Sequence, residues 1–537
     1  MDLVRHIMNS IEIFLALFSL ITIAAAIAPR LKLPVEIILL VGSLAISFIP
    51  GLPKIDFQPH IIFVLFLPPI LFSAAYLTSW RDFKANVRPI SLLAVGLVLF
   101  TTLSIGVAVK LLIPNFSWPM SFLLGAIISP PDASAAVALT KKFGIPKKII
   151  TIIEGESLLN DATALIAYRV ALTAIGVGTF SLWQAGLDFA LISGGGLLIG
   201  YFVGFIGSRL FVQLKEGIAQ NMVTLLIPYT AYLSAEQLKV SGIISVVTAG
   251  LYFARKAPFI TRPETRHKAN AIWEIYLFII NGLIFTLIGL QLPTIIKHLV
   301  SYSAWQLFEY VFVCTLLLIL IRFLWVFPTA YLPRWFSQSL RKRDPMPHWS
   351  ALLITSWIGM RGIISLAAAM SLPLFIYPGV NFPQRDLLIF LTYSVILITL
   401  LLPALTLPLL IKFLKIKDDN LIYKEEVQAR IIIAEAVLKE LENFQLKQTY
   451  SLELIKLYHR RYYRQISILK SNLQEEPFSE LFEEDQTIRK LTKHLIKIEY
   501  QILLDLLARG VINDEVFHII QKEIDIEDMQ IKTYLSP

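Results

Sequence analysis

Residues 125–169 read GAIISPPDASAAVALTKKFGIPKKIITIIEGESLLNDATALIAYR. Two apolar segments flank a basic turn, and they carry four acids: Asp132, Glu154, Glu156 and Asp161. At hydrocarbon depth an ionised carboxylate costs at least ~2.5 kcal/mol, so acids placed there mark an ion or proton path.

The rest of the chain supplies the membrane. Of 537 residues 56% are hydrophobic and 16% charged, with a mean hydropathy of +0.67, which excludes an ordinary soluble domain. The net charge of +9 does not point to nucleic acid, because in a membrane chain the places of the positive charges matter more than their sum. A single cysteine, Cys314, excludes an intrachain disulfide, and scattered histidines with no i, i+4 pair argue against a transition-metal site. The first apolar run ends in AAAIA, like a leader's cleavage site, but Arg30 and Lys32 follow at once and anchor that end in the cytoplasm.

At about 20 apolar residues per crossing, the sequence predicts thirteen spans: 11–28, 34–51, 60–79, 89–113, 119–140, 149–175, 185–208, 221–237, 240–254, 271–293, 305–330, 349–375 and 386–414. Loops after odd-numbered spans hold twenty Lys and Arg, from Arg30 to Arg343; the N-terminus and the other loops hold five, Arg5, Lys54, Lys239, Lys297 and Arg385. A bias of that size in one phase places the N-terminus outside and the C-terminus in the cytoplasm. Two domains follow: 1–415 in the membrane, and 416–537, charge-rich, with Val427, Ile431, Ala434, Val437, Leu438 and Leu441 on one helical stripe, as a cytoplasmic helical domain.

Depth is set by the rise of 1.5 Å per residue. Asp132 lies ~20 Å into the fifth span, Asp161 ~18 Å into the sixth from the other side, and Arg361 ~18 Å into the twelfth, so all three reach the midplane. Glu156 and Arg322 lie nearer the cytoplasmic ends of spans six and eleven, placed to pair below that layer. Pro130 and Pro131 each remove an N–H and clash with the carbonyl four residues back, so the fifth helix must open. Gly359 and Gly362 are weaker breakers around Arg361. Spans five and twelve run in opposite directions, which predicts an inverted repeat whose two interrupted helices cross, with Arg361 neutralising the carbonyl ends that meet there.

Ser157, Asn160 and Asp161 fall at i, i+3 and i+4 and share a helical face. With Asp132 and the carbonyls freed around Pro131, they offer oxygen ligands suited to a hard monovalent cation. Burial disfavours the charged form of a carboxylate, which lets one carboxylate trade a proton for a cation near neutral pH. Plainer alternatives stand beside this reading: Asp132 could instead be only a helix cap after the break, Glu154 a charge near the membrane surface, and Arg169 a residue snorkelling outward. Gly196, Gly200 and Gly204 form a small-xxx-small row expected to pack within the bundle, and Asn281 either lines the cavity or bonds another helix.

SPPDA, EGESLLNDATALIAYR, WEIYLFIINGLIFTLIGLQLP from Trp273 and GMRGIISLAAAMSLP from Gly359 together resemble the bacterial sodium/proton exchangers of the cation:proton antiporter 1 family. The resemblance implies an all-α polytopic membrane protein of thirteen helices, an elevator-type antiporter and a homodimer in the plasma membrane. It would exchange cytoplasmic sodium, or potassium or lithium, for external protons. By the family motif Asp161 carries ion and proton; Asn160, Ser157 and Asp132 support the site; Glu156 pairs with Arg322; and Arg361 stabilises the crossing helices. Asn-Asp in place of Asp-Asp resembles the electroneutral, one-for-one members. Many relatives have Thr where this chain has Pro131, so a hydroxyl ligand is missing. No cofactor and no nucleic acid enter this scheme. Two rivals remain on the residues alone: an intramembrane enzyme using Asp132 and Asp161 as an acid/base pair, and a cation channel, which would need ligands along its length.

Overall fold

A computed structural model of the chain describes residues 2–31, 34–49, 62–132, 145–177, 182–297, 299, 302–359, 363–377, 380–414, 421–446, 451–474, 494–506 and a few positions between 509 and 526. The chain divides into two compact units, Met1–Asp419 and Asn420–Pro537.

The first unit is an apolar helical bundle. Its helices are α1 (Asp2–Leu31), α2 (Val35–Ile46), α3 (Leu67–Leu77), α4 (Val87–Leu112), α5 (Trp118–Ile128), α6 (Lys147–Val177), α7 (Leu182–Gln213) and α8 (Gly217–Gln237). There follow α9 (Gly242–Ile260), α10 (Pro263–Lys297), α11 (Ala304–Phe336), α12 (Trp349–Trp357), α13 (Ile363–Met370) and α14 (Arg385–Leu414). Among the described residues seven helices, α4, α6, α7, α9, α10, α11 and α14, are long and apolar enough to cross a membrane, and parts of α1, α2, α3 and α5 are shorter apolar helices. Helices α8, α12 and α13 fall within further expected crossings, and the described residues bear out the polytopic helical bundle without fixing its count at thirteen. Helix α10 begins at Pro263, ahead of the expected 271, because the polar run PETRHKAN continues the helix, and α11 runs on to Phe336, past the expected 330.

Local chemistry sets the ends. Ser117 caps α5 by accepting from the Met120 N–H, with Pro119 in the first turn, and Ser303 and Gln306 close a reciprocal capping box on α11. Between α8 and α9 the chain turns within four residues, and Lys239 takes the left-handed conformation (φ 59°) that permits it. The row Gly196, Gly200 and Gly204 on α7 faces α9 of the same chain: a Cβ at Gly200 would overlap the Ser245 carbonyl oxygen and lie 2.8 Å from Thr248 Cβ. A feature absent from the sequence reading is a short antiparallel hairpin, β1 (Phe375–Tyr377) with β2 (Val380–Asn381), leading into α14.

Two helices are interrupted. Helix α5 stops at Ile128, and Ser129–Asp132 are non-helical, as the paired prolines require. The second break falls between α12 and α13, where Ile358 and Gly359 leave the helix. Helices α5 and α13 pack against each other. Arg361 and Gly362, expected at this second break, lie outside the described residues.

In the second unit α15 (Leu421–Leu446) and α16 (Leu452–Gln474) form an antiparallel pair around buried Val427, Ile431, Ala434 and Ile466, with Leu438, Tyr462 and Leu469 partly buried against them. Lys470 reaches Glu435 at 3.0 Å on its exposed edge. The predicted stripe is buried at its N-terminal end and half-buried at Val437 and Leu441.

Candidate ion site at the breaks of two helices

Helix α6 carries the polar face at its centre. Asn160 and Asp161 are buried, at 0% and 6% exposure, while Ser157, one turn earlier, is half-buried. Across from them the break in α5 presents Pro131, buried, and Asp132, half-buried. The amide nitrogen of Asn160 donates to the Pro131 carbonyl oxygen at 2.6 Å, tying α6 to the opened end of α5. One carbonyl at the proline break is therefore engaged by the protein itself. The other end of that amide, Asn160 Oδ1, is buried and accepts no hydrogen bond among the described residues. An orphaned acceptor at this depth is costly, about 1–3 kcal/mol, and is the kind of oxygen a dehydrated cation satisfies.

Asp161 makes no hydrogen bond or ion pair among the described residues, and Asp132 is near enough to act on it electrostatically. It lines a void of about 10 Å3 with Pro130, Tyr168, Ile364 and Ser365, so the void is walled by α5, α6 and α13. That is about the space of one water molecule. Ser365 is 2% exposed and its hydroxyl also lacks a partner among the described residues. Far larger, at about 490 Å3, is a cavity lined by Phe72, Asn221, Arg266, Trp273 and Asn281. Asn281 faces that cavity, which Asp161 does not line, so size alone does not locate the carboxylate chemistry.

Glu156 and Arg322 meet one turn below the polar centre. The guanidinium fork donates to both carboxylate oxygens, at 2.7 and 2.8 Å, with side-chain exposures of 1% and 4%. Nε and Nη2 of Arg322 also donate to the Thr355 carbonyl oxygen, at 3.3 and 3.1 Å. The arginine thus satisfies a carbonyl near the end of α12 while it pairs with α6. Gly359 follows from this: a Cβ there would lie 2.6 Å from Arg322 Cδ, so only glycine lets the side chain pass.

Two findings amend the sequence reading. Arg169 does not merely snorkel: it donates to Glu236 on α8 at 2.8 Å, an ion pair between helices distant in sequence. Ser365 and the Thr355 carbonyl were missed. A lone serine in IISLAAAM just past a break was the available signal.

The N-terminal end of α6 is held by loop acids. Lys147 lies 2.9 Å from Asp82, and Lys148 lies 2.5 Å from Asp344, which Arg334 also contacts. Partial burial pushes both carboxyls up, but the ammonium beside each outweighs it and holds them below the usual carboxylate range.

Known proteins match this architecture. The family model described as sodium/hydrogen exchanger, transmembrane, matches residues 15–413. A sodium, potassium, lithium and rubidium/H(+) antiporter of Bacillus pumilus is 34% identical over 95% of this chain and 77% of its own length. The protein of the same description from Bacillus subtilis is 32% identical over 96% and 77%. Among solved structures, the sodium proton antiporter MjNhaP1 of Methanocaldococcus jannaschii superposes with a TM-score of 0.56 at 19% identity, covering 75% of this chain and 98% of that one, a likeness of fold. By family match, identity and fold together, the chain belongs to the sodium/hydrogen exchanger family of multi-pass membrane antiporters.

Proposed function

We propose that this chain moves one monovalent cation against one proton through Asp161, with sodium as the main cation and potassium and lithium as further substrates. The observation that carries the proposal is a buried carboxylate with no fixed cationic partner among the described residues, opening onto a void sized for one small occupant. A single negative charge at that depth is neutralised by a proton or by a cation, and binding either removes the attraction for the other. One site of charge −1 that never crosses empty gives a one-for-one, electroneutral exchange. Asn160, Ser157 and Asp132 hold the cation beside Asp161. Pro131 opens α5 to make room, and Arg361, outside the described residues, stabilises the crossing helices. The breadth of cations rests on the names of the two Bacillus relatives.

Further parts of the proposal are an elevator movement of the site-bearing helices, a homodimer, and a bacterial plasma membrane with the N-terminus outside. Proteoliposomes test the core of it. Sodium added outside drives proton movement without generating a membrane potential, and Asp161→Asn abolishes that movement. Flux that dissipates one gradient without the other ion indicates a channel instead, and exchange surviving in Asp161→Asn places the site elsewhere.

A further inference from the structure

Many buried hydroxyls on the helices of this bundle return their proton to the preceding turn. Thr102 donates to the Val98 carbonyl at 2.8 Å, Ser356 to Leu352 at 2.8 Å, Thr392 to Leu388 at 2.8 Å and Thr399 to Val395 at 2.7 Å. That habit keeps a polar side chain satisfied in an apolar setting. Four helical hydroxyls depart from it among the described residues, those of Ser193, Thr315, Ser365 and Tyr393, and of the four only Ser365 lines the void that Asp161 lines. Ser365 is 2% exposed, and its Oγ is sealed from solvent with no partner among the described residues. The position is not arbitrary: Ser365 sits on the half-helix after the second break and lines the same small void as Asp161. Buried polar groups left without a partner are rare and call for an occupant or a role. The other members of that wall, Ile364 and Ala368, are apolar and cannot supply an oxygen.

We propose that Ser365 is a ligand of the transported ion, the oxygen that the helix opposite α6 contributes to a cation held at Asp161. This rests on the assignment of Asp161 as the carrying carboxylate. A hydroxyl suits both states of the cycle. Its lone pair faces a bound cation in one, and in the other it accepts the hydrogen bond of the protonated acid. A bare cation gains more from a neutral oxygen than a neutral acid does, so the hydroxyl favours the cation in the competition. It also supplies, from α13, an oxygen of the type that Pro131 does not provide from α5.

The experiment measures cation-driven proton movement in proteoliposomes holding the full chain, over a series of sodium and of lithium concentrations, for wild type, Ser365→Ala, Ser365→Cys and Asp161→Asn. Alanine fits a helix already rich in alanine. Cysteine keeps the volume but replaces a hard oxygen with a soft sulfur that hard cations avoid. Both serine variants are expected to raise the apparent KM for sodium and lithium about 3- to 10-fold, the weight of one lost oxygen contact, with the maximal rate within about twofold. A fall in maximal rate with KM unchanged would make Ser365 a packing residue and overturn the proposal, as would KM values equal to wild type. If one variant fails to fold, the other decides. Should Asp161→Asn still exchange, the assignment of the site falls and this ligand with it; if Asp161→Asn is dead while both serine variants keep the wild-type KM, only the role of Ser365 falls.

Discussion

Five residues of α6 separate two opposite treatments of charge. Glu156 is buried and locked: two short hydrogen bonds from one guanidinium, which also donates from Nε and Nη2 to a backbone carbonyl of α12. Asp161 is also buried but left open, without a bond among the described residues, and the amide oxygen of the preceding residue, Asn160, is likewise unpartnered there. In a low-dielectric interior a forked pair is slow to part, so neither partner can take up and release an ion in each cycle. A carboxylate with no dedicated cation must be compensated by something mobile. Completeness of pairing, more than depth, separates the acid that holds the bundle together from the acid that can carry cargo.

Removing one charge from each region gives the largest and most contrasting effects. Asp161→Asn is expected to cut cation/proton exchange at least about 100-fold, well above the roughly tenfold per 1.4 kcal/mol of a weakened contact. Thermal melting in detergent should stay at or above wild type, because an uncompensated buried charge is gone. Arg322→Met should do the reverse, costing ~3–5 kcal/mol of stability by stranding Glu156. Most of that loss should return in the double variant Glu156→Gln, Arg322→Met, where no charge is stranded. A double variant that melts as low as the single one would mean that the contact with Thr355, and not the charge pair, dominates.

Asn160 sharpens the contrast because it belongs to both regimes, one end bonded and one end free. Asn160→Ala leaves the buried Pro131 carbonyl without its donor, at a cost of about 1–3 kcal/mol, and removes the unpartnered Oδ1. Asn160→Asp keeps an oxygen but loses the N–H donor. Should melting drop in both variants while the cation KM rises only in alanine, the two ends of the amide act separately, as their bonding suggests.

Much of this arrangement is legible in the sequence, and what is not has a common cause. Proline cannot continue a helix at mid-span, so the opening at Pro130 and Pro131 follows from residue type alone. Counting along the helix places Glu156 and Arg322 at one level, since rise per residue is nearly constant. Rotation about the helix axis is harder. Where lipid and protein interior are both apolar, a helix has no polar stripe to say which face turns inward. Ser365, Glu236 and the Thr355 carbonyl meet their surroundings through that rotation, and so does the choice of which end of the Asn160 amide faces Pro131. The length of α10 escaped for a different reason, because polar residues extend a helix beyond its apolar stretch and hydropathy cannot mark its end.

The smallest expected effect tests whether the entrance of α6 belongs with the locked region or the open one. Lys147 and Lys148 tie it to Asp82 and Asp344, at 2.9 and 2.5 Å, in partly exposed pairs. Exposed pairs of this kind are worth ~0.2–1 kcal/mol, so Lys147→Met should lower melting slightly at pH 7. Both acids are held below their usual range in the folded protein. Their contribution is therefore complete above the unfolded value of about 3.9 and fades as pH falls through the lower folded value. The difference between Lys147→Met and wild type should be constant from pH 6 to 8 and shrink only in acid. Exchange measured over that neutral range should then follow the same pH profile in both proteins, because the two carboxyls of this clasp stay ionised there. A profile displaced in Lys147→Met would mean that the clasp is coupled to Asp161 along α6, and that the locked and open regions of this helix are not independent.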